Sequence, residues 1–168
     1  MRKFEKISFE QFKKDISDDI ELYNKYELPE RHSSKSAGYD IRSLTKGTIK
    51  PGESMVFRTG LKAYFEDDEV LYLIGRSSLG YKYNVCLANS VGVIDADFYN
   101  NEDNEGHFSV KLINHGTEDF NVEIGDRIVQ GIFQKYLITD DDNCTKKRTG
   151  GIGSTNKKGK KKWNYMMN

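Results

Sequence analysis

Residues 89–100 bring together the residue types that hydrolytic chemistry needs. Val91, Val93 and Ile94 are apolar β-formers, and Asp95 follows them directly, ahead of an Asn-Asn turn. This pattern is typical of two strands closed on each other. An apolar wall beside Asp95 would partly desolvate its carboxylate, as a general base requires. Aspartate between strands is also a common turn residue, because it bonds its own backbone, so this stretch alone leaves both interpretations open.

Two further segments carry donors suited to phosphate oxygens. In residues 75–80, Arg76 and the hydroxyls of Ser77 and Ser78 stand between two glycines, although the same letters also fit a short capped helix. In residues 148–155, three glycines would let the backbone approach a ligand closely. The second segment is not a Walker P-loop, because no Gly-Lys-Ser/Thr follows at the required spacing. Residues 37–41 and 125–130, taken singly, indicate only a turn that leads into a strand.

The elements that must position these side chains are mostly strands. Strands are predicted at 48–50, 54–65, 70–74, 83–91, 107–113, 120–124 and 127–138. Many short strands separated by turn signals predict an all-β sandwich or barrel. Before them, Ser8 opens a capping-box pattern, and apolar residues then recur at spacings of three and four as far as Tyr23, which predicts one short amphipathic helix.

Composition narrows the class of protein. The chain has 168 residues, of which 36% are hydrophobic and 31% charged, which suits one globular domain without a membrane-spanning run. Only Cys86 and Cys144 are present, so we expect a reducing cytoplasm rather than a disulfide framework, and no structural zinc site.

The charge is unevenly spread. Residues 143–168 hold eight of the 26 basic residues and none of the 26 acidic ones. Residues 1–142 therefore carry the acidic excess and are poorly suited to bind a polyanion, so we expect no stable nucleic-acid partner. The basic tail is interpreted either as a solvated, disordered end or as a segment that meets negative charge.

Taken in order, the five blocks resemble the five motifs of the trimeric dUTPase family. They read Ala-Gly-Tyr-Asp at 37–40, Arg-Ser-Ser at 76–78, Asn89 through Gly-Val-Ile-Asp-Ala-Asp at 92–97, Gly-Asp-Arg to Gln at 125–130, and Arg-Thr-Gly-Gly-Ile-Gly-Ser-Thr at 148–155. The resemblance implies a jelly-roll β domain and a homotrimer with active sites shared between subunits. We place this domain at residues 29–142, after the helical extension that the apolar spacing predicts at 1–28. Residues 143–168 have too few apolar residues to fold alone, so we expect a flexible arm there.

The implied reaction is hydrolysis of dUTP to dUMP and pyrophosphate, with Mg²⁺ on the triphosphate. By position Asp95 matches the family's water-activating aspartate, and Asp40 matches an aspartate near the water shell of the metal. The implied substrate-binding residues are Arg76, Ser77, Ser78, Asn89, Gly92, Val93, Ile94, Phe98, Gln130, Arg148, Gly150, Gly151, Ile152, Gly153 and Ser154. Of these, the backbone of 92–95 would bind uracil and the Phe98 ring would lie under the deoxyribose.

Some residues depart from the family's pattern. Phe98 replaces the usual tyrosine, which keeps a stacking plane but loses a hydroxyl. Gly75 replaces a common proline, and residues 100–105 lengthen the hairpin, a surface change from which we expect little effect on the chemistry. Ile152 stands where an aromatic usually stacks on uracil, and isoleucine has no π face. Trp163 is an alternative source of that ring, or a tail residue that rests on the protein surface.

Two other functions remain to be compared. A dCTP deaminase shares the fold, but such enzymes resemble one another around a Thr-Leu-Glu segment, and residues 107–113 have no glutamate. A non-catalytic regulator on this fold would have less need for Asp95 together with all the phosphate-binding residues, although Ile152 keeps that possibility open.

Overall fold

In a computed structural model, which describes residues 1–146, 148 and 150, the chain is a set of short antiparallel strands. The strands are β1 (Lys3–Lys6), β2 (Tyr39–Arg42), β3 (Gly47–Ile49), β4 (Ser54–Tyr64), β5 (Glu69–Gly75), β6 (Val85–Leu87), β7 (Val91–Asp95), β8 (Phe108–Asn114), β9 (Phe120–Val122) and β10 (Arg127–Lys135). The helices are α1 (Phe9–Asp15), α2 (Ile20–Lys25), α3 (Ser77–Tyr83) and a 3-10 turn, Ala96–Phe98.

The strands form two four-stranded sheets and a small two-stranded one. One sheet has the order β1-β4-β8-β6, the other β2-β10-β5-β7, and β3 pairs with β9. Apolar residues alternate along the strands, as in β8, where Phe108, Val110 and Leu112 are buried and the intervening side chains are not. The inner faces meet in one hydrophobic core, as expected for a jelly roll. The all-β fold class is confirmed.

The N-terminal segment differs from the single helix that the sequence predicted. Helix α1 ends at Asp15, and a second helix begins only after Asp19, whose side chain accepts a hydrogen bond from the Leu22 N–H. The polar run Ser-Asp-Asp at 17–19 supplies a new cap rather than a continuous helix, because such residues compete for backbone bonds. Residues 1–28 also include β1, which pairs with β4 and places Phe4 in the core.

Two strand predictions were wrong around the site. Residues 83–91 are not one strand, because α3 runs through Tyr83 and stops at Asn84, whose φ of 54° is left-handed. Residues 89–100 are not two strands closed on each other. β7 pairs instead with β5, and the 3-10 turn follows it directly. Apolar periodicity shows that a strand exists but does not show which partner it takes.

No helix among the described residues is long and apolar enough to cross a membrane.

Candidate active site

Asp40 lies at the centre of a cationic cluster at one end of the β2-β10-β5-β7 sheet. Arg76 Nε donates to one of its carboxylate oxygens at 3.0 Å, and Arg127 Nη1 donates to the other at 3.1 Å. His32 Nε2 lies 3.2 Å from the same oxygen as Arg127. The Asp40 side chain is 15% exposed, so the carboxylate holds both guanidinium groups in fixed positions at the rim of the sheet.

Gln130 completes this cluster from β10. Its neighbours across the sheet are Asp40 on β2 and Ile74 on β5, so strand register alone brings the first, second and fourth motifs together. Gly38 explains how the Gln130 side chain fits, because a Cβ at position 38 would lie 2.2 Å from Gln130 Oε1. The glycine of the first motif is therefore needed for space rather than for a turn.

The Arg-Ser-Ser segment forms the start of α3, so the short-helix interpretation of residues 75–80 is correct for the backbone. Arg76 occupies the N-cap position without a side-chain cap, and Ser77 and Ser78 open the first turn, where helix N–H groups have no intrahelical partners. Arg76 and Ser78 line a cleft of about 370 Å³ together with Arg127 from β10. The helix and the phosphate interpretations are thus compatible.

The third motif runs along an edge strand. β7 pairs with β5 on one side and has no strand on its other side among the described residues, so its outer backbone groups face outward. Val93 is exposed, Ile94 is half-buried, and Asn89 lies in the exposed turn before the strand. Gly92 is buried, and a Cβ there would lie only 2.9 Å from the Cβ of its cross-strand partner Leu73.

Asp95 is more exposed than the sequence predicted. Its side chain is 52% exposed at the end of β7, so the described part of its own chain does not supply the apolar wall that would desolvate it. Arg148 reaches this end of the strand, where Nη2 donates to Asp95 and Nε donates to Asp97 at 2.9 Å. An edge strand ending in solvent gains such a wall only from another segment or another molecule.

Phe98 follows Asp95 within the 3-10 turn and is 5% exposed. The guanidinium carbon of Arg148 lies 5.7 Å from the centre of its ring, within the range of a cation–π contact. Arg148 therefore covers the ring that the third motif would offer to a sugar. Gly150 is buried, and Gly151, Ile152, Gly153, Ser154 and Trp163 lie outside the described residues.

The two halves of the site are far apart within one chain. Asp95 pairs with Val70 near the start of β5, whereas Arg76 follows directly after the end of that strand at Gly75. Six residues of extended strand span about 20 Å. The Cα atoms of Asp95 and Arg76 in one chain thus lie about 20 Å apart along this strand, farther than a triphosphate is long.

Sequence reasoning missed three members of these clusters. Arg127 and His32 hold Asp40, and Asp97 shares Arg148 with Asp95. The motifs contain Arg127 and Asp97, but only the fold shows which charged groups they meet. His32 precedes the first motif, and no local pattern marks it.

An antiparallel jelly roll that presents paired arginines on one sheet and an acidic edge strand on the same sheet fits a class of β proteins that act on nucleotide phosphates. Residues 24–156 match the sequence model of the dUTPase family. The dUTPase of Lactococcus lactis is 46% identical over 143 residues, covering 81% of this chain and 95% of that protein.

Comparison with solved structures also indicates the dUTPase family. The crystal structure of the dUTPase from Streptococcus mutans superposes with a TM-score of 0.67 at 40% identity, covering 82% of this chain and 98% of that one. The dUTPase of the Staphylococcus aureus phage phi11 shares the fold, with a TM-score of 0.64 and 17% identity over 87% of this chain and 97% of that one. The chain belongs to the dUTPase family.

Proposed function

We propose that the protein hydrolyses dUTP to dUMP and pyrophosphate as a homotrimer, with Asp95 of one chain and Arg76 of another serving the same nucleotide. The activity on dUTP follows from membership of the family, in which the relatives are named deoxyuridine 5'-triphosphate nucleotidohydrolases. The division of the site between chains is our inference.

One observation carries this inference. The motifs of a single chain separate into an arginine cluster around Asp40 and an acidic end of β7, about 20 Å apart along β5. A carboxylate that activates water must lie within hydrogen-bond reach of it, and that water must lie in line with the phosphorus atom. A cyclic trimer satisfies both conditions if the β7 edge of one chain meets the arginine cluster of its neighbour.

In the proposed reaction, Asp95 takes a proton from the attacking water while the water oxygen bonds to the α-phosphorus. The bond between that phosphorus and the bridging oxygen breaks, and pyrophosphate leaves with the electron pair. Arg76 and the Ser77 and Ser78 groups at the start of α3 stabilise the negative charge on the phosphate oxygens. The part-buried carboxylate of Asp40 keeps Arg76 in place for this task.

Selectivity would come from exclusion. The outward-facing backbone groups of residues 92–95 on the β7 edge can pair with uracil and leave no room for a 5-methyl group. The Phe98 ring under the sugar would leave no space for a 2′-hydroxyl. This arrangement requires Arg148 to move away from the Phe98 ring. The ring becomes free if the guanidinium group moves from Asp95 and Asp97 to the phosphate groups.

Mg²⁺ fits this site only in a limited role. Asp40 already binds Arg76, Arg127 and His32, so it can meet the ion only through water, and the described residues include no cluster of three metal-ligating side chains. The triphosphate itself would be the main ligand. Mg²⁺ bound there would offset the negative charge of the phosphate groups.

Arg148 and residues 150–154 are proposed to close over the bound nucleotide and exclude water from it. We place the enzyme in the cytoplasm, which the two free thiols Cys86 and Cys144 support. In residues 1–142 the 26 acidic residues outnumber 18 basic ones, which argues against a nucleic-acid partner.

Mixed trimers test the shared site directly. Asp95→Asn and Arg76→Ala chains should each be inactive alone, and co-refolding them should restore activity. In a cyclic trimer each mixed assembly has one site with both intact residues, so an equal mixture should reach roughly one quarter of wild-type activity. Pyrophosphate release reports the activity, and native mass spectrometry confirms that mixed trimers form.

The controls are each variant refolded by itself and the two mixed after refolding without exchange of chains. If confirmed mixed trimers remain inactive, one chain must supply both residues, and the shared-site proposal is wrong. If the wild-type protein releases no pyrophosphate from dUTP, the assigned activity itself is wrong.

A further inference from the structure

The chain leaves the Phe98 turn through a compact loop, residues 100–106. Asn100, Glu105 and Gly106 adopt left-handed φ values of 54°, 58° and 83°. The Asn100 N–H donates to the Glu105 carbonyl at 3.0 Å, which closes the loop at its base. Left-handed φ values at non-glycine residues persist only where contacts fix the backbone, so this short loop has a defined shape.

Asn101 connects this loop to Phe98. Its Nδ2 donates to the Phe98 carbonyl at 2.8 Å and to Asn104 Oδ1 at 2.9 Å. Its Oδ1 accepts from the backbone N–H groups of Asp103 and Asn104 at 3.0 and 3.2 Å. One side-chain amide thus binds the loop on one side and the residue with the buried ring on the other.

Gly106 shows how closely the loop packs on Phe98. A Cβ at position 106 would lie 2.7 Å from the Phe98 carbonyl oxygen and 2.9 Å from Tyr99 Cα. Only glycine permits this approach, since its φ is also left-handed. The closed end of the loop therefore packs directly against the backbone of Phe98 and Tyr99.

Helix α1 supports the loop from outside. The Glu105 carboxylate accepts from the Ser8 N–H at 3.0 Å and from the Ser8 hydroxyl, and Lys62 donates to Glu105 at 3.3 Å and to Asn100 at 2.7 Å. Directly after the loop, His107 Nδ1 lies 2.6 Å from Asp15 at the end of α1. Helix α1 precedes residue 24, where the family match begins, so part of the support lies outside the matched region.

We propose that Asn101 is a positioning residue for the Phe98 ring, and that Glu105 extends this support to helix α1, so that together they set the selectivity of the enzyme for the deoxyribose. The proposal rests on the proposed function, in which Phe98 lies under the sugar. Because the loop fixes the backbone carbonyl of Phe98, the ring stays in place and keeps the space under the 2′ position closed.

The test compares dUTP with UTP. Asn101→Asp keeps the shape and the acceptor of the side chain but turns an oxygen, instead of an N–H, toward the Phe98 carbonyl. We expect the ratio of kcat/KM for UTP to kcat/KM for dUTP to rise roughly threefold to tenfold, the worth of one hydrogen bond. Phe98→Ala gives the upper limit of the same ratio. Asn24→Asp, the same chemical change on the exposed side of α2, should keep the wild-type ratio.

A purely structural role predicts a different result. Lower stability reduces the active fraction of enzyme and lowers both kcat/KM values together, which leaves their ratio unchanged. If Phe98→Ala raises the ratio and folded Asn101→Asp does not, the positioning role of Asn101 is wrong. If Phe98→Ala itself leaves the ratio unchanged in an enzyme that hydrolyses dUTP, the premise fails while the proposed reaction stands.

Glu105→Gln provides a milder second variant if Asn101→Asp does not fold. It keeps one acceptor for Ser8 and loses the charge that meets Lys62. We expect a ratio between those of the wild type and Phe98→Ala. A lowered Tm with an unchanged ratio would show that the contact with α1 stabilises the fold without reaching the sugar site.

Discussion

At the scale of single residues, Arg148 meets two carboxylates that differ in their assigned chemistry. Asp95 and Asp97 are similarly exposed, at 52% and 54%, and both bind the same guanidinium group. Charge alone therefore does not distinguish them. Position does, since Asp95 ends the edge strand that is proposed to hold uracil, whereas Asp97 lies inside the following turn.

Asp95→Asn should lower kcat by about 10²- to 10⁴-fold, the usual contribution of a positioned general base, while the protein remains folded. Asp97→Asn removes an equal charge from the same arginine and should lose far less. Steady-state pyrophosphate release measures both. Equal losses in the two variants would mean that the pair acts only through Arg148.

Gly38→Ala tests the space that Gln130 needs. The added methyl group would meet Gln130 Oε1 at 2.2 Å, so we expect the carboxamide to be displaced and KM for dUTP to rise severalfold. Gly75→Ala is the matched control, because a Cβ at position 75 has no neighbour within 4 Å. A wild-type KM for Gly38→Ala would remove Gln130 from the binding site.

At the scale of elements, the sequence predicted where strands lie better than what they touch. Six of the seven predicted strands are found with ends shifted by a few residues, because alternation and turn residues are local signals. The capping box at Ser8 shows the limit of what such local signals can predict. Ser8 does cap the Gln11 N–H at 3.1 Å, but the Gln11 side chain binds Asp15, and Glu105 takes the Ser8 N–H in its place.

The candidate site shows the same limit. The motif order correctly indicated the family, and strand register then gathered Asp40, Arg76 and Gln130. Neither the exposure of Asp95 nor the part played by His32 has a local signal, because each depends on contacts between distant segments. The residue types in the motifs indicate the chemistry, and the fold determines which groups each of these residues contacts.

His107 makes the support of α1 sensitive to pH. Its ring is buried, Nε2 accepts from the Gly60 N–H at 3.0 Å, and Nδ1 donates to Asp15. Burial lowers the pKa of His107 below its ordinary value of 6.5, despite the opposing contribution of Asp15. As the pH falls, His107 therefore binds a proton in the unfolded chain before it does so in the folded one. The contribution of this group to the free energy of unfolding is fully present above pH 6.5 and is lost as the pH drops toward the lowered pKa.

Urea unfolding between pH 8 and pH 5 checks this expectation. The free energy of unfolding should fall below about pH 6.5 with a slope of at most about 1.4 kcal/mol per pH unit from this group. His107→Gln should be less stable at pH 8 and show a shallower slope, whereas His115→Gln, at an exposed position, should keep the wild-type slope. Equal slopes in all three proteins would contradict the assignment.

At the scale of the whole molecule, the core and the arm are separable. Every buried hydrophobic residue among those described lies between Phe4 and Val129. Beyond β10, Leu137 and Ile138 are exposed, and the acidic residues at 140–142 precede the basic arm. We therefore expect the fold to require little of the arm, whereas the proposed reaction requires Arg148.

A chain ending at Asp142 should therefore fold and trimerise with nearly unchanged Tm yet hydrolyse dUTP very slowly. Size-exclusion chromatography, thermal unfolding and pyrophosphate release measure the three properties. Arg148→Ala in the full-length chain should reproduce part of the loss. A truncated chain with wild-type activity would show that the arm has no part in the site.

The contact between Ser8 and Glu105 also has a consequence for the order of events during synthesis. The two residues are 97 positions apart, so α1 emerges from the ribosome long before its acceptor exists. Until residues 100–106 follow, the first helix of the protein has an incomplete cap and is too short to persist alone. Helix α1 is thus among the last elements to become ordered, and pulse-labelled hydrogen exchange during refolding should find the α1 amides protected only after those of β4 and β8.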